Sequence, residues 1–321
     1  MPVTNQILPW VSFCISTYKR PELLKQQIGL LLNQSDENFE IVISDNDEEG
    51  SAEPVINSFE DSRIRYFKNE ENLGMIRSFN KSIERARTEY ITMVTDDDPI
   101  DTSFLDAMSE LIRQYPGYSL YGGFQRKGKS EGYIEKIDKC SFIAEILDPS
   151  KTPAILWSSC IMKRSDVIES GKIPEYGSPH LADHVLIVRA GSFNGGIIIN
   201  KMYSSLTQHD NNFSKLNFET YVKGCKEFHA NIIGFIIEKK LNNNSKAAVI
   251  KHLNTWFISS VFNLKRYYTI KGDKKMLSEV NDYAKRILSF SFMMNVRGKY
   301  LFKTCTLFLK KILGVLRVQL L

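Results

Sequence analysis

Residues 11–45, VSFCISTYKRPELLKQQIGLLLNQSDENFEIVISD, decide the fold. Val11–Ser16 is a short apolar run, the composition of a buried strand. Pro21 then opens PELLKQQIGLLLNQ, in which Leu23, Leu24, Ile28, Leu31 and Leu32 recur at helical spacing. Proline suits a first helical turn, where its missing N–H costs nothing. Phe39–Ser44 (FEIVIS) is a second apolar strand. Strand, helix and strand in such quick succession spell a βαβ unit.

The pattern continues. Arg63–Phe67 reads as a third strand, residues 75–87 as a helix and Tyr90–Thr95 as a fourth strand. The fold class is therefore α/β, a mostly parallel, Rossmann-like sheet flanked by helices. Right-handed crossovers bring the C-terminal end of every such strand to one edge. Ligands of open α/β sheets bind beyond that edge.

The unusual residues sit at those strand ends. Thr17-Tyr18-Lys19-Arg20 follows the first strand, Asp45-Asn46-Asp47 the second, and Asp96-Asp97-Asp98 the fourth. Three adjacent carboxylates repel one another, and a plain turn is better served by Asn or Gly. Hard divalent cations such as Mg²⁺ and Mn²⁺ take oxygen ligands, often one or two carboxylates plus the phosphates of a ligand. Two acidic clusters and a basic corner thus suit a metal ion with a phosphorylated ligand. The plainer alternative is a solvated acidic loop, with Asp101 as N-cap of a helix at Phe104 and Leu105.

Residues 120–208 are less regular. Trp157–Lys163 and Gly196–Asn200 read as strands, with a short helix near Leu181–Ala190. From about Leu216 onward the chain reads helical, with few glycines and no proline. We expect a nucleotide-binding and catalytic domain over 1–214 and a helical region over 215–321.

Charge is unevenly placed. From Val296 to the end stand Arg297, Lys299, Lys303, Lys310, Lys311 and Arg317 without an acid, so a net charge of +5 leaves the preceding body near −1. A neutral body argues against nucleic acid, which needs a basic face on the fold. Residues 299–321 combine a wide apolar face with a narrow stripe of Lys303, Lys310 and Arg317, seven residues apart. That fits a helix lying in a membrane interface rather than crossing it. The alternative is a helix docked on the fold or on a second subunit, as in a homo-oligomer. The cysteines are scattered without a CxxC pair, and MPVTNQILPW shows no basic segment before a long apolar core. We therefore expect a reducing, cytoplasmic setting at the inner face of the cell membrane.

Together, VSFCISTYKRPELLKQQIGLLLNQ, FEIVISDND and ENLGMIRSFNKSIERARTEYITMVTDDD resemble an inverting glycosyltransferase of the GT-A fold, family 2. The likeness covers residues 9–105 well, 150–214 more loosely, and not the region after 215. It implies a nucleotide diphosphate sugar as donor, Mn²⁺ or Mg²⁺ as cofactor, and a glycan or glycolipid as acceptor. By this resemblance Thr17 and Arg20 lie near the nucleotide, Asp45 contacts base or ribose, and Arg77 lies near base or diphosphate. Asp96 points toward the ribose, Asp97 ligates the metal, and Asp98 helps either. Asn72 and Gly74 shape the turn before the helix. Many members carry an acid where Thr95 stands, so the allocation within the triplet is open.

The same resemblance makes Asp183, in HLADHVLIVRAGS, the catalytic base, although Ala182 replaces a frequent Glu; a carboxylate also suits a helix start for its own sake. His209 would reach the metal or diphosphate. His184 reads as structural, and Trp157, Ser158 and Ser159 line the sugar pocket or the core. A Gln-x-x-Arg-Trp signature of processive synthases is absent, which favours transfer of a single sugar. Two rivals remain: a sugar nucleotidyltransferase, which would prefer glycines where STYKRPE stands, and an inactive scaffold that retained the fold.

Overall fold

The computed structural model describes residues 8–206 and 218–313. Eight strands form one sheet: β1 (Val11–Thr17), β2 (Phe39–Asp45), β3 (Ile64–Lys68), β4 (Tyr90–Val94), β5 (Leu120–Gly123), β6 (Ile134–Ile137), β7 (Cys160–Lys163) and β8 (Gly196–Ile199). Their order is β3-β2-β1-β4-β7-β5-β8-β6. β6 and β7 run against the rest, which are mutually parallel. The mostly parallel α/β sheet read from the sequence is present. Trp157–Ser159, expected as strand, is instead a single 3₁₀ turn ahead of β7.

The helices of the sheet region are α1 (Pro21–Leu32), α2 (Glu53–Asn57), α3 (Met75–Arg85), α4 (Phe104–Gln114), α5 (Phe142–Ile146), α6 (Arg164–Glu169) and α7 (Ala182–Gly191). Strand alternation divides the buried side chains between two faces. Phe13, Ile15, Ile41 and Ile43 meet Leu24, Ile28 and Leu31 of α1 and Phe104, Leu105 and Met108 of α4. Cys14, Val42, Ile91 and Met93 point the other way, toward Phe79 and Ile83 of α3 and Val185 and Leu186 of α7. Truncating a fully buried residue such as Ile28 to Ala would cost about 2–5 kcal/mol.

The topology fixes where a ligand can sit. From β1 the chain winds outward to β2 and β3, then returns to β4 on the other side of β1. The connections on either side of β1 therefore diverge beyond the ends of β1 and β4, the switch point of an open α/β sheet, where ligands of such sheets bind.

The C-terminal region is helical as expected: α8 (Phe218–Glu238), α9 (Asn243–Phe257), a π-helical segment Ile258–Phe262, α10 (Asn263–Lys271), α11 (Lys274–Ser289) and α12 (Met294–Ile312). Phe228, Ile232, Leu253 and Phe257 join the same buried cluster as α3, α5 and α7, so these helices continue one core of the sheet. Within α12, Val296, Tyr300 and Leu307 are buried, while Leu301, Phe302, Phe308, Leu309 and Ile312 are exposed. The helix thus docks by one face and leaves an apolar face outward. Lys303 does not join an outer cationic stripe: its ammonium lies 5.5 Å from the Phe262 ring centre. Arg317 lies outside the described residues. Among the described residues no helix is long and apolar enough to cross a membrane.

Candidate active site

The switch point is built by neighbouring strand ends. Thr17 closes β1 in register with Asp45, which closes β2. Asp96 follows β4, the other neighbour of β1. Thr17 Oγ1 donates to Asp96 Oδ2 at 3.1 Å. Arg20 Nη1 reaches Asp96 Oδ1 at 3.0 Å and Asp97 Oδ2 at 3.2 Å. Four of the residues singled out in the sequence, Thr17, Arg20, Asp96 and Asp97, therefore form one charged cluster.

Electrostatics gives this cluster an appetite for positive charge. Burial pushes the Asp96 carboxyl above its usual range, Arg20 opposes this, and the neighbouring Asp97 adds to it. Asp98 is buried and accepts from Thr95 Oγ1 at 2.8 Å. The oxygen donors of Asp97 and Asp98 are of the hard type that Mg²⁺ and Mn²⁺ prefer. Among the described residues, no three or more metal-ligating side chains converge. That donor set suits a cation that keeps waters and shares a ligand's phosphates, rather than an all-protein cage.

Asp45 is held by a network of its own. Its fully buried carboxylate accepts from Asp47 N at 3.0 Å, Ala52 N at 3.3 Å and Tyr66 OH at 2.8 Å. It pins the 46–52 loop beside the switch point. Asn46 and Asn72 extend that scaffold: Asn46 Nδ2 donates to Asn72 Oδ1 at 2.6 Å, and Asn46 Oδ1 accepts from Leu73 N at 2.8 Å. Gly74, at φ +78°, makes the left-handed step into α3, so Asn72 and Gly74 shape the turn as expected. Arg77, near the start of α3, bonds Glu175 at 2.7 Å across a cavity of about 420 Å³ lined also by Tyr176 and Pro179.

Asp183 lies in the first turn of α7. The preceding Leu181 has φ +64°, a left-handed conformation uncommon for a branched side chain and typical of constrained sites. Since β7 opposes β4, its first residue Cys160 lies at the edge beyond which Asp96–Asp98 follow. Burial raises the Cys160 thiol pKa, and the charge of Asp183 raises it further. Asp183 Oδ2 stands 3.6 Å from His184 Nε2, and His184 Nδ1 is 2.8 Å from His252 Nε2 of α9. Burial lowers His180 to about 4 despite Asp183, so His180 is neutral near pH 7.

Several expectations change. Trp157 packs on Phe79 with ring centres 4.8 Å apart, Ser158 bonds Ser204, and Ser159 bonds the Gly123 carbonyl. Their side chains belong to the core rather than to a sugar pocket. Asp101 does not cap α4: its carboxylate accepts from Ser103 N at 2.8 Å, two residues on, forming a turn just ahead of the helix. His209 lies outside the described residues. His252 and Asn46 escaped sequence reading. His252 carries no local signal, because only the fold brings it to His184; Asn46, between two flagged aspartates, was the more legible of the two.

Residues 12–171 match the family described as glycosyl transferase family 2. An uncharacterized glycosyltransferase of Methanocaldococcus jannaschii is 39% identical over 94 residues, 28% of this chain and 32% of the relative. The GalNAc(5)-diNAcBac-PP-undecaprenol beta-1,3-glucosyltransferase of Campylobacter jejuni is 27% identical over 115 residues, 35% of this chain and 37% of that one. The chain thus spans about a third of the length of these curated relatives. Among solved structures, S. aureus TarS 1-349 in complex with UDP-GlcNAc superposes with a TM-score of 0.65 over 95% of this chain and 92% of that one, at 14% identity, a likeness of fold. The likeness of fold to TarS runs through nearly the whole chain and the family's own segment through residues 12–171: this chain belongs to glycosyl transferase family 2.

Proposed function

We propose that this chain is a metal-dependent, inverting glycosyltransferase that moves one sugar from a nucleotide diphosphate sugar to a glycan acceptor, lipid-linked and presented at the cytoplasmic face of the membrane. The observation that carries this reading is the Thr17–Arg20–Asp96–Asp97 cluster at the switch point. Family membership supports the reaction class. The Campylobacter relative, whose name includes an undecaprenol-linked glycan, supports the acceptor class. The exposed apolar face of α12 supports peripheral membrane contact.

The roles follow from the chemistry. A divalent cation at Asp97 and Asp98 would supply Lewis-acid stabilisation of the leaving diphosphate. Arg20 adds fixed positive charge beside it. Thr17 and Asp96 orient the nucleotide. Asp183 takes the acceptor hydroxyl proton as the acceptor oxygen bonds to the anomeric carbon and the bond from that carbon to the diphosphate oxygen breaks. Attack on the face opposite the leaving group inverts the anomeric configuration. We keep residues 1–214 as the donor-binding and catalytic domain and 215–321 as a helical region that buttresses it.

Thermal-shift screening of UDP-, GDP- and dTDP-sugars with Mn²⁺ tests the proposal. One nucleotide class should raise the unfolding midpoint and then serve as donor. A panel without any stabilising nucleotide contradicts it. Release of pyrophosphate from a nucleoside triphosphate would favour a nucleotidyltransferase instead.

A further inference from the structure

Lys265 of α10, Lys285 of α11 and Arg297 of α12 line one recess of about 800 Å³, together with Tyr300 and Leu301. Among the described residues that line it, none is acidic. Lys265 is drawn inward, its Nζ donating to Tyr300 OH at 3.0 Å and lying 4.8 Å from that ring's centre. Arg297 is held at the rim by its Nε donating to the Leu288 carbonyl at 2.7 Å. Three cations on one recess repel one another. Burial lowers the Lys265 pKa and the charge of Lys285 lowers it further. An anion with several acceptor oxygens relieves that repulsion.

The recess is continuous with an apolar surface. Leu301 lines it and is also exposed, next to Phe302 and on the same helix as Phe308, Leu309 and Ile312. A cationic recess opening beside an apolar helix face matches an anionic lipid, whose phosphate lies a short distance above its acyl chains. We infer that the recess between α10, α11 and α12 takes the phosphate of an anionic lipid headgroup while the outer face of α12 enters the lipid. The inference rests on the membrane contact proposed above and adds a specific headgroup site to it.

The test uses the full chain with vesicles of phosphatidylcholine alone and of phosphatidylcholine mixed with phosphatidylglycerol, measured by co-sedimentation. Wild type should prefer the mixed vesicles, and Lys285→Glu, at an exposed position, should weaken that binding about tenfold or more. Lys265→Met should weaken it likewise, and Phe302→Ser with Phe308→Ser should reduce binding to both vesicle types. If the mixed vesicles bind equally well to Lys285→Glu and Lys265→Met, the headgroup site is overturned while membrane contact stands. Absence of binding to any vesicle, including the case where light scattering finds a dimer joined through α12, overturns both. Inorganic phosphate supplies the remaining arm. A phosphate-dependent rise in unfolding midpoint without preference for phosphatidylglycerol would make the site one for free phosphate and overturn the lipid assignment.

Discussion

His184 Nδ1 lies 2.8 Å from His252 Nε2, which fastens the helix carrying Asp183 to the C-terminal helices. Burial, together with the neighbouring His184, holds the His252 pKa well below the usual histidine range, so its ring is neutral. The Leu147 carbonyl also engages the His252 ring. With the proton on the nitrogen facing Leu147, Nε2 is left to accept from His184.

Replacing His252 by Leu should therefore leave the His184 donor without its partner and lower the unfolding free energy by about 1–3 kcal/mol. Gln at the same place offers an acceptor and should recover part of that loss. Urea denaturation of the two variants measures this, and equal stability of wild type and His252→Leu would show that the bond carries nothing. Because Asp183 stands beside His184, the Leu variant should also lose more in kcat than in KM.

Asp96→Asn should stabilise the donor-free protein near neutrality while weakening donor binding. The carboxyl is held above its ordinary value of 3.8, chiefly by burial. A raised folded-state pKa means that its contribution to stability is fully present below that ordinary value and is lost as pH rises through the raised one. Wild type and variant should then have similar unfolding midpoints in acid, with the variant pulling ahead toward pH 7. A gap that does not change with pH would contradict the assigned burial cost.

Much of this site was legible because strand ends are legible. The short apolar runs VSFCIS and FEIVIS, buried on both faces, and the helical spacing after Pro21 fix β1, α1 and β2, and β1 and β4 then bring Thr17, Arg20 and Asp96 together. The partners of Asp45 were not legible, since nothing local reveals that Tyr66 and the 47–52 backbone donate to its carboxylate. Trp157–Ser159 looked like strand because buried runs of strand and 3₁₀ turn share one composition. β5 and β6 were missed because LYGG ends in two glycines and IEKI carries two charges inside it, so neither shows the apolar run that marks β7 and β8. The docking of α12 was half-readable: its apolar width was plain, but which face meets the protein depends on α10 and α11.

Gly191→Ala tests the packing behind the candidate base. A Cβ there would stand 2.1 Å from Phe142 Cε1, closer than atoms can approach, so Phe142 or the end of α7 must move. The expected cost is about 1–3 kcal/mol of stability, read as a lower denaturation midpoint. Unchanged stability would mean that the α5–α7 contact gives way freely.

The central claim is that the carboxylates after β4 gather a cation that holds the donor's diphosphate. The most direct measurement is turnover of the matched nucleotide sugar by wild type and Asp97→Asn, with Mn²⁺ and with EDTA, alongside each protein's unfolding midpoint. The account predicts turnover that collapses by orders of magnitude in EDTA and in Asp97→Asn, with the midpoint of the metal-free variant close to wild type. Full turnover in EDTA, or in Asp97→Asn with Mn²⁺, would contradict it.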